Sequence, residues 1–147
     1  MITYLKGDAT YPIAGKKNII VHICNDCGAW GKGFVLAISK RWSAPKKQFV
    51  LGSPARLGTC QIVQVEDNIW VANIIGQSGI YKDAHGNAPI RYKAIKKGLE
   101  IVYNFAREQD AVLHMPRIGC GLAGGTWDKI EPMLDDNFET YVYDYER

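Results

Sequence analysis

The stretch Ala111-Val112-Leu113-His114-Met115-Pro116-Arg117-Ile118-Gly119-Cys120-Gly121-Leu122-Ala123-Gly124-Gly125-Thr126 reads as a short strand, a glycine-rich loop and the start of a helix. Apolar residues run almost unbroken from Ala111 to Met115, the pattern of a strand covered on both faces. Thr126 is a suitable N-cap for the next helix, and Pro132 must then fall in a first turn or at a kink. Upstream, Ile19 to Cys24 is a second such run, followed by Gly28-Ala29-Trp30-Gly31-Lys32-Gly33. A strand, a glycine loop and a helix therefore recur. That repetition predicts an α/β domain whose loops beyond the carboxyl ends of the strands bind a ligand.

Working outward, Ile69 to Ile75 is a third apolar run and joins the other two as a central strand. Ile2 to Leu5, Cys60 to Val65 and Thr140 to Tyr145 alternate more and are expected nearer the edges, which makes about six strands in a largely parallel sheet. In the last of these, Tyr141, Tyr143 and Tyr145 read as one face of a terminal strand. Between Arg91 and Glu108 the residues Tyr92, Ile95, Leu99, Val102 and Ala106 recur every three or four positions, one apolar stripe of a helix. Another helix opens at Gly33 and turns Phe34, Ala37, Ile38 and Trp42 inward. Gln77 to Pro89 is the longest loop of the sheet-forming part, a length often reserved for function.

The 147 residues are 47% hydrophobic, enough for one core without disulfides or metals, and a single domain over residues 1–147 is expected. Eighteen basic against 15 acidic residues leave a net charge of +3, spread without long like-charge runs. This balance suits an anionic small molecule better than a long phosphate backbone. No stretch approaches the roughly 20 apolar residues of a membrane span, and the amino terminus lacks a signal-peptide pattern. A cytoplasmic protein with no membrane partner is the expectation. Cys24, Cys27, Cys60 and Cys120 are expected as free thiols. Cys24 and Cys27 form a C-x-x-C with no second pair to complete four ligands, so neither a metal nor a cofactor is expected.

Glycine lets a backbone approach an anion and turn its N–H groups inward, and the following helix start adds partial positive charge. A diphosphate is the natural guest of two such loops. Either loop alone reads more readily as a tight turn, and it is the pair at equivalent strand ends that points to a binding cleft. Neither carries G-x-G-x-x-G after the first strand or the Lys-Ser/Thr ending of a P-loop.

Four motifs in order resemble those of the macro domain: Gly7-Asp8-Ala9-Thr10, Asn25-Asp26-Cys27-Gly28-Ala29-Trp30-Gly31-Lys32-Gly33-Phe34, Val71-Ala72-Asn73-Ile74-Ile75-Gly76-Gln77, and Met115-Pro116-Arg117-Ile118-Gly119-Cys120-Gly121-Leu122-Ala123-Gly124-Gly125-Thr126-Trp127. The resemblance covers essentially the whole chain. It is nearest the branch of ADP-ribose 1''-phosphate phosphatases and terminal ADP-ribose glycohydrolases. It implies a three-layer α/β/α sandwich with a mixed sheet, and ADP-ribose or ADP-ribose 1''-phosphate as ligand. ADP-ribosylated macromolecules are further implied partners. By the same resemblance Asp8, with Ala9 beside it, accepts a hydrogen bond from the adenine amine. Gly28, Trp30, Gly31 and Gly33 lie along the distal ribose and one phosphate, and Gly119, Cys120, Gly121, Leu122, Ala123 and Gly124 hold the other phosphate.

His22, Asn25 and Asp26 are the candidate catalytic cluster, since a strand end and its loop project them toward the distal ribose. Asn25 can position a hydroxyl or a water, and Asp26 or His22 can orient or deprotonate that water. His22 reads equally as a core histidine. Asp83, with His85, sits in the long loop and can close over the distal end, or be an ordinary solvated residue. Where the glycohydrolase branch carries a nucleophilic lysine and an acidic partner, this sequence has Gln77 and Ala123. Neither can do that chemistry. The expected activity is hydrolysis of ADP-ribose 1''-phosphate by direct water attack. The alternatives are a hydrolase that removes ADP-ribose from modified protein or nucleic acid, and a non-catalytic ADP-ribose reader. Trp30 and Trp127 border the glycine loops and either cover the ligand or pack on the core.

Overall fold

The computed structural model describes residues 1–12 and 16–145. Six strands, β1 (Ile2–Lys6), β2 (Asn18–Asn25), β3 (Cys60–Glu66), β4 (Ile69–Gln77), β5 (Val112–Met115) and β6 (Thr140–Asp144), form one sheet in the order β1-β6-β5-β2-β4-β3. All neighbours run parallel except the β3–β4 pair. The sheet is mixed and largely parallel, with β2, β4 and β5 inside it. Their unbroken apolar runs follow from covering on both faces, because helices return the chain between parallel strands.

On one face, α3 (Tyr92–Gln109) lays Ile95, Leu99, Val102 and Ala106 on Ile19, Val21, Ala72 and Ile74. The short α4 (Trp127–Ile130) adds Ile130 to the same core. On the other face, α1 (Phe34–Arg41) and α2 (Ala44–Leu51) cover Ile20, Cys24, Val71 and Ile75 with Val35, Ile38 and Phe49. The result is an α/β/α sandwich. Of the residues expected inward on α1, Ile38 is buried, while Phe34, Ala37 and Trp42 are half-buried. Pro132 stands in the first turn of a one-turn 3-10 segment after α4. Thr126 is at the N-cap of α4, yet its side chain makes no capping bond.

One helix escapes the sequence reading, and one strand's side chains depart from it. The helix α2 carries no apolar stripe, because Phe49 is buried while Val50 and Leu51 face solvent. Strand β6 lies between the edge strand β1 and the central β5, nearer the edge as its alternation leads one to expect. Its polar side chains are satisfied internally, as Tyr143 Oη lies 2.7 Å from His114 Nδ1 and the Tyr141 ring stacks on His114 at 5.4 Å. The other ring nitrogen, His114 Nε2, lies 2.7 Å from Asn18 Oδ1. Tyr145 is exposed, so the three tyrosines do not share one fate. Among the described residues no helix is long and apolar enough to cross a membrane.

Candidate active site

A cavity of about 550 Å³ opens at the carboxyl ends of β5, β2 and β4, within the size range of small-molecule sites. The loop after β2 supplies one wall through Ala29, Gly31, Lys32 and Gly33, and the loop after β5 supplies the other through Arg117, Gly119, Gly121, Leu122 and Ala123. Gly33 is the N-cap of α1 at φ 83, a conformation that favours glycine, and no side chain caps the helix start. Its first N–H groups are therefore open to a guest. Among the described residues no protein acceptor meets the backbone N–H of Gly31, Lys32 or Gly33, nor of Gly121, Leu122 or Ala123. Two runs of open donors thus line one cavity. Lys32 and Arg117 are the charged side chains in its wall; Arg117 is paired with Asp144, so Lys32 is the charge that favours an anion.

The second loop is closed on itself. Gly125 N–H donates to Gly119 O at 2.8 Å, Gly124 N–H to Gly121 O at 3.0 Å, and Ile90 N–H ties the loop after β4 to Ala123 O at 3.1 Å. The first loop is shaped by Asn25. Its Oδ1 accepts the N–H groups of Cys27 and Ala29 at 3.1 and 3.0 Å, and its Nδ2 donates to Ala29 O at 2.7 Å. Asn25 lines the cavity floor, but four loop bonds, one of them from the Cys27 thiol to Oδ1, occupy its amide.

His22 also reaches the floor, at 1% exposure. Its Nε2 lies 2.6 Å from Asn73 Oδ1, while Asn73 Nδ2 donates to Pro45 O and Gln61 Oε1 at 3.2 Å each. The amide orientation makes Nε2–H the donor. Burial pushes the His22 pKa down to about 4, against the raising effect of the Asn73 bond, and burial does the same to His114, also to about 4, against the raising effect of Glu139. Both imidazoles are neutral at pH 7. Their folded pKa values lie below the unfolded value of 6.5, so the unfolded chain binds more protons between pH 6.5 and 4. Stability should fall as pH drops through that window, by up to about 3 kcal/mol per histidine. Urea midpoints at pH 7 and pH 4.5 should separate, and by less in His114→Gln. Equal midpoints would mean that neither ring is held neutral.

Several expected site residues face elsewhere. Asp26 does not line the cavity: its Oδ1 accepts Gly79 N–H at 2.8 Å and pins the loop after β4. Asp83 is exposed and closes its own turn, accepting His85 and Asn87 N–H at 2.9 Å each, and those bonds, Asn87 foremost, hold its carboxyl below the usual range. Its loop neighbour His85 is likewise exposed. Trp30 is a core residue at 7% exposure, with Nε1–H donated to Ser39 Oγ at 2.8 Å and its ring 5.4 Å from Phe49. Trp127 packs against Tyr4 instead of the cavity. Cys120 spends its N–H on Arg117 O and its thiol on Ile118 O. Gly28 abuts Ser53, Gly124 abuts Ala88, and Ala9 is buried beside Asp8. Asp8 lies at the end of β1, two strands from β5; Thr10 occupies its Oδ1, while Oδ2 has no partner among the described residues.

Sequence reasoning overlooked Lys32, Phe34, Arg117, Ile80 and Tyr81 as lining residues. The signal for two of them was a basic residue inside each glycine motif. Gln77 and Ala123 do stand in the cavity wall, so the positions that depart from the lysine-dependent pattern face the site. All four cysteines are free thiols, with Cys24 buried and Cys27 exposed. Among the described residues no three His, Cys, Asp or Glu side chains gather as a metal site.

No protein-family model matches the chain. It is 31% identical to chromodomain-helicase-DNA-binding protein 1-like of Danio rerio over 95% of its length, but it spans only 14% of that relative. It is 28% identical to the ADP-ribose 1''-phosphate phosphatase of Candida albicans, covering 97% of this chain and 99% of that one. The solved structure of a macrodomain protein from Streptomyces coelicolor is 43% identical, with a TM-score of 0.86 over 99% of this chain and 100% of the other. Full-length agreement at that identity, together with the paired glycine loops, means that this chain belongs to the macrodomain family.

Proposed function

We propose that the chain binds ADP-ribose with its diphosphate between the two glycine loops, and that it hydrolyses ADP-ribose 1''-phosphate to ADP-ribose and phosphate. The observation that carries this reading is the pair of open N–H runs, Gly31 to Gly33 and Gly121 to Ala123, on opposite walls of one cavity. A diphosphate has acceptor oxygens for both runs, and its charge suits Lys32 and the open start of α1. The full-length likeness to a relative named as a phosphatase of this substrate supports the reaction.

In the proposed reaction, water oxygen bonds to phosphorus while the bond from phosphorus to the anomeric oxygen breaks. One water proton ends on that oxygen as the ribose hydroxyl, and the other leaves with phosphate. The transition state is loose and needs positioning and charge stabilisation more than covalent help. Lys32 and the loop N–H groups supply that stabilisation. No carboxylate lines the cavity among the described residues, so the attack proceeds without a carboxylate base. Gln77 and Ala123 provide neither nucleophile nor acid, which argues against covalent capture of the distal ribose.

The test supplies ADP-ribose 1''-phosphate and, separately, ADP-ribosylated protein and nucleic acid. Phosphate release from the first is expected. Release of ADP-ribose from a modified macromolecule alone makes the chain a de-ADP-ribosylating hydrolase. Binding of ADP-ribose without either release makes it a reader. Asp8→Ala should weaken ADP-ribose binding by about 1–3 kcal/mol, the cost of leaving the adenine amine unpaired. Unchanged affinity by calorimetry would remove Asp8 from the site.

A further inference from the structure

Arg117 differs from the other cation in the cavity wall. Its Nε and Nη2 donate to the two carboxylate oxygens of Asp144 at 2.7 and 3.1 Å, a fork that fixes the guanidinium plane. The guanidinium carbon sits 5.2 Å from the centre of the Tyr4 ring and 5.5 Å from that of Trp127. Those rings are themselves locked edge to face at 83°, with Trp127 Nε1–H donated to Tyr4 Oη at 2.9 Å and the Tyr4 hydroxyl donated to Glu131. The plane is therefore held by an ion pair and backed by two rings. Asp144 already balances its charge, so what remains for a ligand is chiefly a flat, delocalised surface. Lys32, which makes no ion pair among the described residues, is the free charge.

Location adds a second argument. Asp144 ends β6, the strand between β1 and β5, and Gly7 N–H donates to Asp144 O at 2.8 Å beside Asp8. The fixed plane thus stands on the Asp8 side of the glycine loops. The cavity's exposed aromatic, Tyr81 at 80% exposure, comes from the loop after β4 on the opposite side. Resting on the reading that the ligand is ADP-ribose, we infer that the Arg117 guanidinium is the platform on which the adenine base stacks. Arginine stacks on aromatic faces in a way that the compact ammonium of lysine cannot reproduce.

The experiment separates plane from charge. Arg117→Lys keeps the charge and loses the plane, and it should weaken ADP-ribose binding by about tenfold or more. Inorganic pyrophosphate, which has no base, should bind the variant within about twofold of the unaltered chain, because its charge interactions persist. In the unaltered chain, ADP-ribose should move the Arg117 Nε–H resonance upfield by ring current, a readout that needs no variant. An Arg117→Lys chain that binds ADP-ribose as tightly as before overturns the platform alone. So does a parallel loss of pyrophosphate, which would make Arg117 a phosphate ligand, or an Arg117 resonance that ADP-ribose leaves in place. Failure of the unaltered chain to bind ADP-ribose overturns the functional reading as well.

Discussion

Gly125→Ala is expected to lower ADP-ribose affinity by at least about 100-fold. A methyl group there would lie 2.6 Å from Gly119 O and 2.2 Å from Ile90 Cδ1. The side chain of Ile90 can turn away, but Gly119 O is backbone. It is also the acceptor of the Gly125 N–H bond that closes the loop. The variant must therefore open the turn that holds Gly121, Leu122 and Ala123 in the cavity wall. Losing two charge-assisted bonds from that run costs about 3–6 kcal/mol, or roughly two to four orders of magnitude in Kd. Calorimetry on a variant whose circular dichroism shows an intact fold measures this directly. Near-unaltered affinity would mean that the second loop does not hold the diphosphate.

The largest stability effect should come from Phe49→Ala. Phe49 is the one fully buried aromatic of α2, 0% exposed, and its ring lies 5.4 Å from that of Trp30. Trp30 in turn sits 5.4 Å edge-on to His22 beneath the cavity. Truncation leaves a void that the surrounding strands cannot fill, at about 3–5 kcal/mol. In a domain of this size that is on the order of 10 °C in Tm. Leu51→Ala, two residues on and 80% exposed, should stay within about 0.5 kcal/mol. Urea unfolding of both variants decides the matter: similar midpoints would mean that α2 does not pack as described.

That contrast also explains why α2 escaped the sequence. Phe49, Val50 and Leu51 are consecutive, so they point in different directions on a helix, and only one of them finds the core. By comparison α3 was legible because its stripe runs for 18 residues at steps of three and four. The differing fates of the β6 tyrosines have another cause. They alternate as one face would, and nothing near them in the chain reveals that His114 takes up Tyr141 and Tyr143 from a neighbouring strand.

Local order alone determined the strand, glycine loop and helix succession, the central strands and the place of the cleft, because periodicity and φ requirements act over a few residues. Tertiary structure decided which side chains face that cleft. Asp26 and Asp83 are drawn off by backbone donors of the loop after β4, and Trp30 by Ser39 and Phe49. Arg117 is held in place by Asp144 and two aromatic rings. Each is a competition among hydrogen-bond and packing partners. Where the partner comes from a distant part of the chain, only the completed fold brings it within reach.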